Sequence, residues 1–202
     1  MSIEQATRPV WPINQAREAA SEVLSHIIEY IDRFEVCGGI RRCQVQVHDV
    51  DLVIMEKDRF MINSMLPTIG ARSINPGENL LRFTYKDIPF EFNYARNERE
   101  FEVLKTVRTG DYVFSRSMAQ VAMQKGFVFR FAGKAFGLYK ILSVVRDKEN
   151  WHKKEYIINW VRAPEYWREE DMIITLFGKY YPPEERNWFD DRGNILGLMN
   201  GE

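Results

Sequence analysis

The sequence predicts an α+β fold, a mixed sheet with helices followed by a smaller α+β lobe. Three observations carry that expectation. An apolar stripe at helical spacing marks the first 33 residues; strand-like runs then dominate to about residue 95; short helices around an aromatic, glycine-containing stretch follow. The 202 residues suffice for one large domain or two small lobes, and 45% hydrophobic content with 28% charged residues belongs to a folded chain. The formal net charge of -1 gives no support for nucleic-acid binding through bulk charge, but leaves room for a local basic face.

The elements follow in order. Residues 1–12 read as a loose arm. Asn14 reads as the cap of a helix over residues 15–33, with Ala16, Ala20, Val23, Leu24, Ile27 and Ile31 near one stripe. Residues 34–37 read as a short strand that Gly38 and Gly39 break. Residues 45–55 read as a second strand, and residues 57–66 as a helix stopped before Pro67. Asn75-Pro76-Gly77 is a turn signal, and residues 80–85 and 88–95 make a hairpin across Lys86-Asp87. Helices are expected over residues 98–105, 114–125 and 169–177, with a strand-like stretch over 127–139 and Gly126 as a helix stop. The organisation expected is therefore residues 1–33 as arm and helix, 34–100 as the first functional lobe and 101–202 as the second.

Two cysteines, Cys37 and Cys43, match no zinc or redox spacing and read as reduced thiols of an intracellular protein. The first 11 residues lack the basic-then-apolar build of a signal peptide, and no apolar run approaches the ~18–20 residues that span a bilayer. A cytoplasmic or other non-secreted location with no membrane partner is expected.

The chemistry lies in one stretch. Cys37-Gly38-Gly39-Ile40-Arg41-Arg42 precedes His48-Asp49-Val50-Asp51-Leu52-Val53-Ile54. In a strand, side chains two apart share a face, so Asp49 and Asp51 project together. Two carboxylates that close repel unless a cation sits between them, and magnesium favours such oxygen donors. Phe90-Glu91-Phe92-Asn93-Tyr94 alternates aromatic and polar residues, so Glu91 can join the pair if its strand lies alongside. Three carboxylates can hold two ions for in-line displacement at phosphorus, with Glu91 also able to take the proton of the attacking hydroxyl. Gly38-Gly39 lets backbone N–H groups approach phosphate, and Arg41 and Arg42 add guanidinium forks. His48 reads as a polar neighbour of Asp49, or as a contact to water or phosphate. Arg108, Arg116, Lys125, Arg130, Lys134 and Lys140 read as a phosphate track or as a solvated face. Phe127, Phe129, Phe131 and Phe136 read as core or as interleaved stacking platforms. Trp151, Trp160, Trp167 and Trp188 read as closing the C-terminal core. The charged residues 148–154 carry no specific role.

The Gly-Gly-Ile-Arg-Arg through Asp-Val-Asp segment, with Glu91 on a later hairpin strand, resembles the catalytic region of the family X DNA polymerases. These belong to the wider polymerase-beta-like nucleotidyltransferases. Further likeness lies in Arg108-Thr109-Gly110-Asp111, Phe114 to Met118, Gln124 to Phe127 and the stretch from Glu169 through Arg186, so it covers roughly residues 34–188. The resemblance implies a palm over 34–100 and a thumb, or nucleotide-side lobe, over 101–202. It implies Asp49, Asp51 and Glu91 as ligands of two Mg2+ ions, for which Mn2+ can substitute. It implies Gly38, Gly39 and Arg42 at the triphosphate, Thr109 and Gly110 near the sugar, and Ser115 near the base. The implied partners are a nucleoside triphosphate and a primer or gapped DNA, for a monomeric enzyme of DNA repair.

The departures from the family pattern are Glu91 for aspartate, Gly39 for serine, Val107-Arg108 for an aromatic pair and Ala119 for a template-side arginine. The length leaves no room for the lyase and helix-hairpin-helix domains of larger members, so a minimal palm and thumb is expected. The alternatives are a template-independent terminal nucleotidyltransferase acting on RNA, tRNA or a small acceptor, and an inactive nucleotide-binding module. Val107-Arg108 and Ala119 favour the terminal transferase; the three surviving acids oppose the inactive module.

Overall fold

A computed structural model of the chain describes residues 9–132, 135–145, 157–162 and 168–188. The first lobe is built around a five-stranded mixed sheet. Its strands are β2 (Ile31–Val36), β4 (Val50–Glu56), β5 (Arg72–Pro76), β6 (Leu80–Tyr85) and β7 (Ile88–Tyr94), in the order β2-β4-β7-β6-β5. A short pair, β1 (Trp11–Pro12) with β3 (Gln46–Val47), stands apart from it. The pairing of β4 with β7 is parallel and the others in the large sheet are antiparallel. Buried Leu52 and Ile54 of β4 and Phe90 and Phe92 of β7 meet α1 (Ile13–Ile27) and α3 (Arg59–Thr68) in one core. The hairpin from β6 to β7 turns at Lys86 and Asp87, both with positive φ (49° and 65°), as the tight turn at that point requires.

Several boundaries differ from the sequence expectation. The first helix begins at Ile13 with Pro12 at its cap position, so Asn14 lies inside the first turn and caps nothing. The helix ends at Ile27 and passes through a 3-10 turn, because residues from Ile31 onward pair with β4 instead of continuing the helix. Ile31 is buried as a strand residue. The expected strand over 45–55 is two pieces, β3 and β4, interrupted at His48 and Asp49. Pro67 sits within α3, one residue before its end, instead of stopping the helix ahead of it; Asp58 caps that helix by accepting from the Met61 N–H at 3.0 Å. The sequence pattern does not predict strand β5, whose exposed, weakly patterned residues give little period-two signal.

The second lobe holds α4 (Glu98–Thr109), α5 (Tyr112–Gln124), α6 (Glu169–Phe177) and a three-stranded antiparallel sheet. That sheet comprises β8 (Phe127–Ala132), β9 (Ala135–Val145) and β10 (Ile157–Arg162), in the order β10-β9-β8. Gly126 and Gly178, both with positive φ, end α5 and α6. Phe114, Met118, Met172, Ile173, Leu176 and Trp188 form this lobe's core. A third cluster, with Cys37 and Val53 from the first lobe and Phe101 and Leu104 from α4, joins the two. Helix α4 runs four residues further than expected, which places Arg108 and Thr109 on its last turn.

Phe127 and Phe129 pack partly buried against the second core, as does Phe136, whereas Phe131 is exposed. Trp188 closes that core, stacking edge-on against Phe114 at 4.8 Å between ring centres. The side chains of Trp151, Trp160, Trp167 and Lys134, and residues 1–8 and 148–154, lie outside the described residues. No helix among the described residues is long and apolar enough to cross a membrane.

Candidate active site

The strand register decides the site. Parallel pairing sets Asp51 of β4 opposite Glu91 of β7, with Val50 opposite Phe90 and Leu52 opposite Phe92. The apolar neighbours go into the core on one face, and the two acids share the other. Asp49 precedes β4 and is not itself a strand residue, yet its charge acts strongly on Asp51. Burial pushes the Asp51 carboxyl up to about 7, helped by the negative charges of Asp49 and Glu91 and opposed by Arg108 and Arg42. Asp51 therefore sits in a surplus of negative charge.

Gly38 is built against this carboxylate. Its φ is +58°, and a Cβ there would lie 2.2 Å from Asp51 Oδ2. The backbone N–H of Cys37 also donates to the Asp51 carbonyl at 2.7 Å, so the glycine turn and the acidic strand are fixed to each other. Gly39 is equally confined: a Cβ would meet Gln44 Oε1 at 2.6 Å and Val47 Cγ1 at 2.8 Å.

The donor set suits a hard divalent cation. Carboxylate oxygens are its preferred ligands, and a cation would relieve the charge that raises Asp51. The acids are not drawn into a closed cluster, however: among the described residues, no three His, Cys, Asp or Glu side chains stand together as a ready metal site. Glu91 instead accepts from Arg82 Nε at 2.6 Å, its cross-strand neighbour. That pair is largely exposed on the Arg82 side, so it competes weakly with a bound ion.

The remaining residues nominated from sequence divide into two groups. Most are already engaged within the protein, and three of them, Arg41, Arg42 and Thr109, join the lobes. Arg41 donates to both oxygens of Glu169 at 2.6 Å and to Thr109 Oγ1 at 2.7 Å. Arg42 donates to Asn187 Oδ1 at 2.7 Å and to the Thr109 carbonyl at 2.6 Å. Thr109 is fully buried, and its hydroxyl donates to the Lys105 carbonyl. Ser115 Oγ donates to the Val107 carbonyl at 3.0 Å. Gly110 is required by packing, since a Cβ would fall 2.3 Å from Phe114 Cδ1. Lys125 donates to the Thr175 carbonyl at 2.8 Å, and His48 is bonded through Nδ1 to the Pro9 carbonyl at 2.9 Å.

Arg108 and Arg116 stand differently. Arg116 is exposed and reaches the Tyr112 hydroxyl at 3.5 Å, a long bond one helical turn back. Arg108 has a buried Nε with no hydrogen-bond partner, and its charge acts on Asp51.

Sequence reasoning missed Glu169, Arg186 and Asn187 as members of this framework. Arg186 is 0% exposed, donates to Glu169 Oε1 at 2.5 Å and to the Tyr181 carbonyl at 2.8 Å, and so completes the support of Arg41. Glu169 gives no distinct signal beside Glu170 and Asp171, because an acidic first turn is ordinary helix chemistry. A cavity of about 820 Å³ lies among Arg33, Glu98, Glu102, Lys105, Arg168 and Glu169. Asp49, Asp51 and Glu91 do not line it, and its lining residues pair with one another, Arg33 with Glu102 and Lys105 with Glu102.

No protein-family model matches the chain, and no curated protein matches it in sequence. The α+β architecture with its five-stranded mixed sheet accordingly rests on the strand pairing itself.

Proposed function

We propose that this protein is a two-metal nucleotidyltransferase that moves a nucleotide from a nucleoside triphosphate onto a hydroxyl group, acting as a minimal family X-like DNA polymerase. The observation that carries this reading is the register placing Asp51 beside Glu91 on parallel strands, with Asp49 two residues away. Two Mg2+ ions, when bound, would supply charge for the triphosphate and for the attacking oxygen. Asp49 and Asp51 would hold them through carboxylate oxygens. Glu91, on the partly open face, would hold one ion and accept the proton of the hydroxyl. Gly38 keeps the space over Asp51 clear of any side chain.

A template-independent terminal transferase, acting on RNA, tRNA or a small acceptor, is favoured by one particular feature. Ala119 is exposed on α5 at the position where the resembled family carries a template-side arginine, and it offers a template nothing to bind.

The test supplies magnesium, each labelled dNTP and NTP, and three acceptors: a gapped duplex, single-stranded DNA and RNA. Asp51→Asn runs alongside. Template-matched extension of the gap, lost in the variant, is the expected result. Template-blind addition, or addition of ribonucleotides to RNA, replaces the polymerase reading with the terminal transferase. Equal activity in Asp51→Asn overturns the metal site.

A further inference from the structure

Strand β2 ends the order β2-β4-β7-β6-β5, and among the described residues it pairs with β4 alone. Beside its open edge an apolar groove of about 390 Å³ runs between β2 and α1, lined by Leu24, Ile28, Phe34, Val36 and Ile40 together with Arg17. Ile28 is 45% exposed and Phe34 37%. Large apolar side chains along a strand edge invite another strand, and proteins ordinarily cover such an edge or blunt it with charge.

The pairing with β4 decides which backbone groups face outward. The Cys37 N–H donates to the Asp51 carbonyl, in register with Val36 opposite Leu52 and Phe34 opposite Ile54. Residues of an antiparallel strand turn their N–H and C=O groups to alternate sides, so Arg33, Glu35 and Cys37 are engaged with β4. Phe34 and Val36 direct theirs to the open edge. Side chains alternate as well. Phe34 and Val36 lie toward α1, whereas on the other face Arg33 meets Glu98 and Glu102, and Glu35 meets Arg41 at 3.3 Å.

The strand complements itself in one register. A second copy pairing antiparallel must set outward residues against outward residues, so a symmetric pairing that overlaps most of β2 centres on Arg33, Phe34 or Glu35. Centring on Arg33 sets two arginines directly opposite, and centring on Glu35 sets two glutamates opposite, each of which is destabilising. Centring on Phe34 sets Arg33 opposite the partner's Glu35, and Glu35 opposite the partner's Arg33. Both charged side chains are still partly exposed and so can be shared across the edge.

We infer that β2 is an interface between two copies of this chain, joined edge to edge about Phe34 so that the two five-stranded sheets continue into one. The two Phe34 residues exchange both backbone hydrogen bonds, and their side chains meet on the groove face and remove apolar surface from water. The Arg33–Glu35 pairs on the other face fix the register. Such an isologous contact closes on itself, so it makes a dimer and not a filament. A dimer replaces the monomer that the family resemblance implies, and it does not depend on the nucleotidyl-transfer reading.

The test is sedimentation velocity of the full chain from low micromolar to several hundred micromolar, with amide hydrogen exchange at both ends of the range. Wild type is expected to pass from monomer to dimer, with the Phe34 and Val36 amides protected only at high concentration. Phe34→Lys is expected to weaken the dimer by about tenfold or more. Arg33→Glu and Glu35→Arg each set like charges opposite in their own dimers, so each alone is expected to be weakened. Mixed in equal amounts they restore opposite charges at both pairs and are expected to form a heterodimer, which general damage to the fold would not produce. Thermal melts establish that each variant is folded; if Arg33→Glu is not, Phe34→Lys and Glu35→Arg carry the test. A wild type that is monomeric throughout overturns the inference, and protection of the two amides in that monomer would assign the edge to an occupant from the same chain. A dimer that survives Phe34→Lys and both charge swaps overturns it in favour of another surface. Folded swap variants that do not associate on mixing overturn the register.

Discussion

Arg41 and Glu169, separated by 128 residues in sequence, are joined by two parallel hydrogen bonds of 2.6 Å. The fork-to-fork geometry is the strongest form of this pairing. It fastens the turn that packs Gly38 against Asp51 to the first residue of α6, in the second lobe. Arg186, fully buried, shares the same carboxylate. The candidate site is thus held in shape by the C-terminal part of the chain.

Glu169→Gln should be severely destabilising. It removes the charge that two largely buried arginines share, while burial of those arginines remains. Breaking such a pair from one side costs about 3–5 kcal/mol. Urea denaturation of the variant against wild type measures it. A loss below about 1 kcal/mol would mean that the network contributes little to holding the lobes together.

The same carboxylate sets part of the acid limit of stability. Burial alone would raise its proton affinity, but Arg41 and Arg186 outweigh burial and hold Glu169 below the usual glutamate range. Its folded value therefore lies below its unfolded one. The stabilisation is complete above the ordinary range near pH 4.5 and disappears as pH falls through the depressed folded value. Melting temperatures between pH 6 and 3 should fall more steeply for wild type than for Glu169→Gln. Parallel curves would remove Glu169 from the acid transition.

How far the fold and the site are legible in the sequence follows from the range of each interaction. Alternation in Phe90-Glu91-Phe92 and the apolar run after Asp51 are local patterns that turn each acid away from its apolar neighbours; that the two acids share one sheet face comes from the parallel pairing of β4 with β7, which is long-range. The Lys86-Asp87 turn is local as well. The partners of Arg41, Arg42 and Thr109 are not, since Glu169 and Asn187 approach from across the fold. An arginine beside glycines reads as a phosphate ligand until its carboxylate partner is seen. Helix α1 also exceeds local reading: Ile31 fits a helical stripe and a strand equally, and pairing with β4 chooses the strand.

Gly38→Ala should disable the site at modest cost to the fold. The new Cβ would stand 2.2 Å from Asp51 Oδ2 in a backbone conformation that L residues avoid, so the carboxylate must move. Gly70 is the internal control: its φ is +89° and a Cβ there meets nothing within 4 Å. Both alanine variants should lose about 1–2 kcal/mol from backbone strain. Gly38→Ala alone should lose nucleotide incorporation, by roughly a hundredfold for a displacement near 1 Å. Equal activity in the two variants would detach Gly38 from the site.

The two thiols should separate cleanly by reactivity. Burial pushes Cys37 up to about 12, although the Arg41 charge opposes it, and Cys43 is exposed. Iodoacetamide at pH 8 should label Cys43 in the native protein and both residues in denaturant, read by intact mass. Native labelling of Cys37 would show that the core between the lobes, which contains it, opens readily.

Asp51→Asn should stabilise the metal-free protein while removing its activity. The folded Asp51 carboxyl is pushed up to about 7 by burial first, and then by Asp49 and Glu91, whereas an unfolded aspartate titrates near ~4. A folded value above the unfolded one means that ionisation opposes folding. The relative stability is greatest below pH ~4, declines as pH rises through about 7, and stays low above that. Asparagine keeps the shape and removes the charge. In chelator at pH 8, Asp51→Asn should melt higher than wild type by roughly 2–4 °C per kcal/mol of relieved repulsion, and the difference should close near pH 4. Added Mg2+ should raise the wild type and leave the variant nearly unmoved. A variant that melts lower than wild type in chelator at pH 8 would show that the Asp51 charge is satisfied within the protein, and that a cation is not what it lacks.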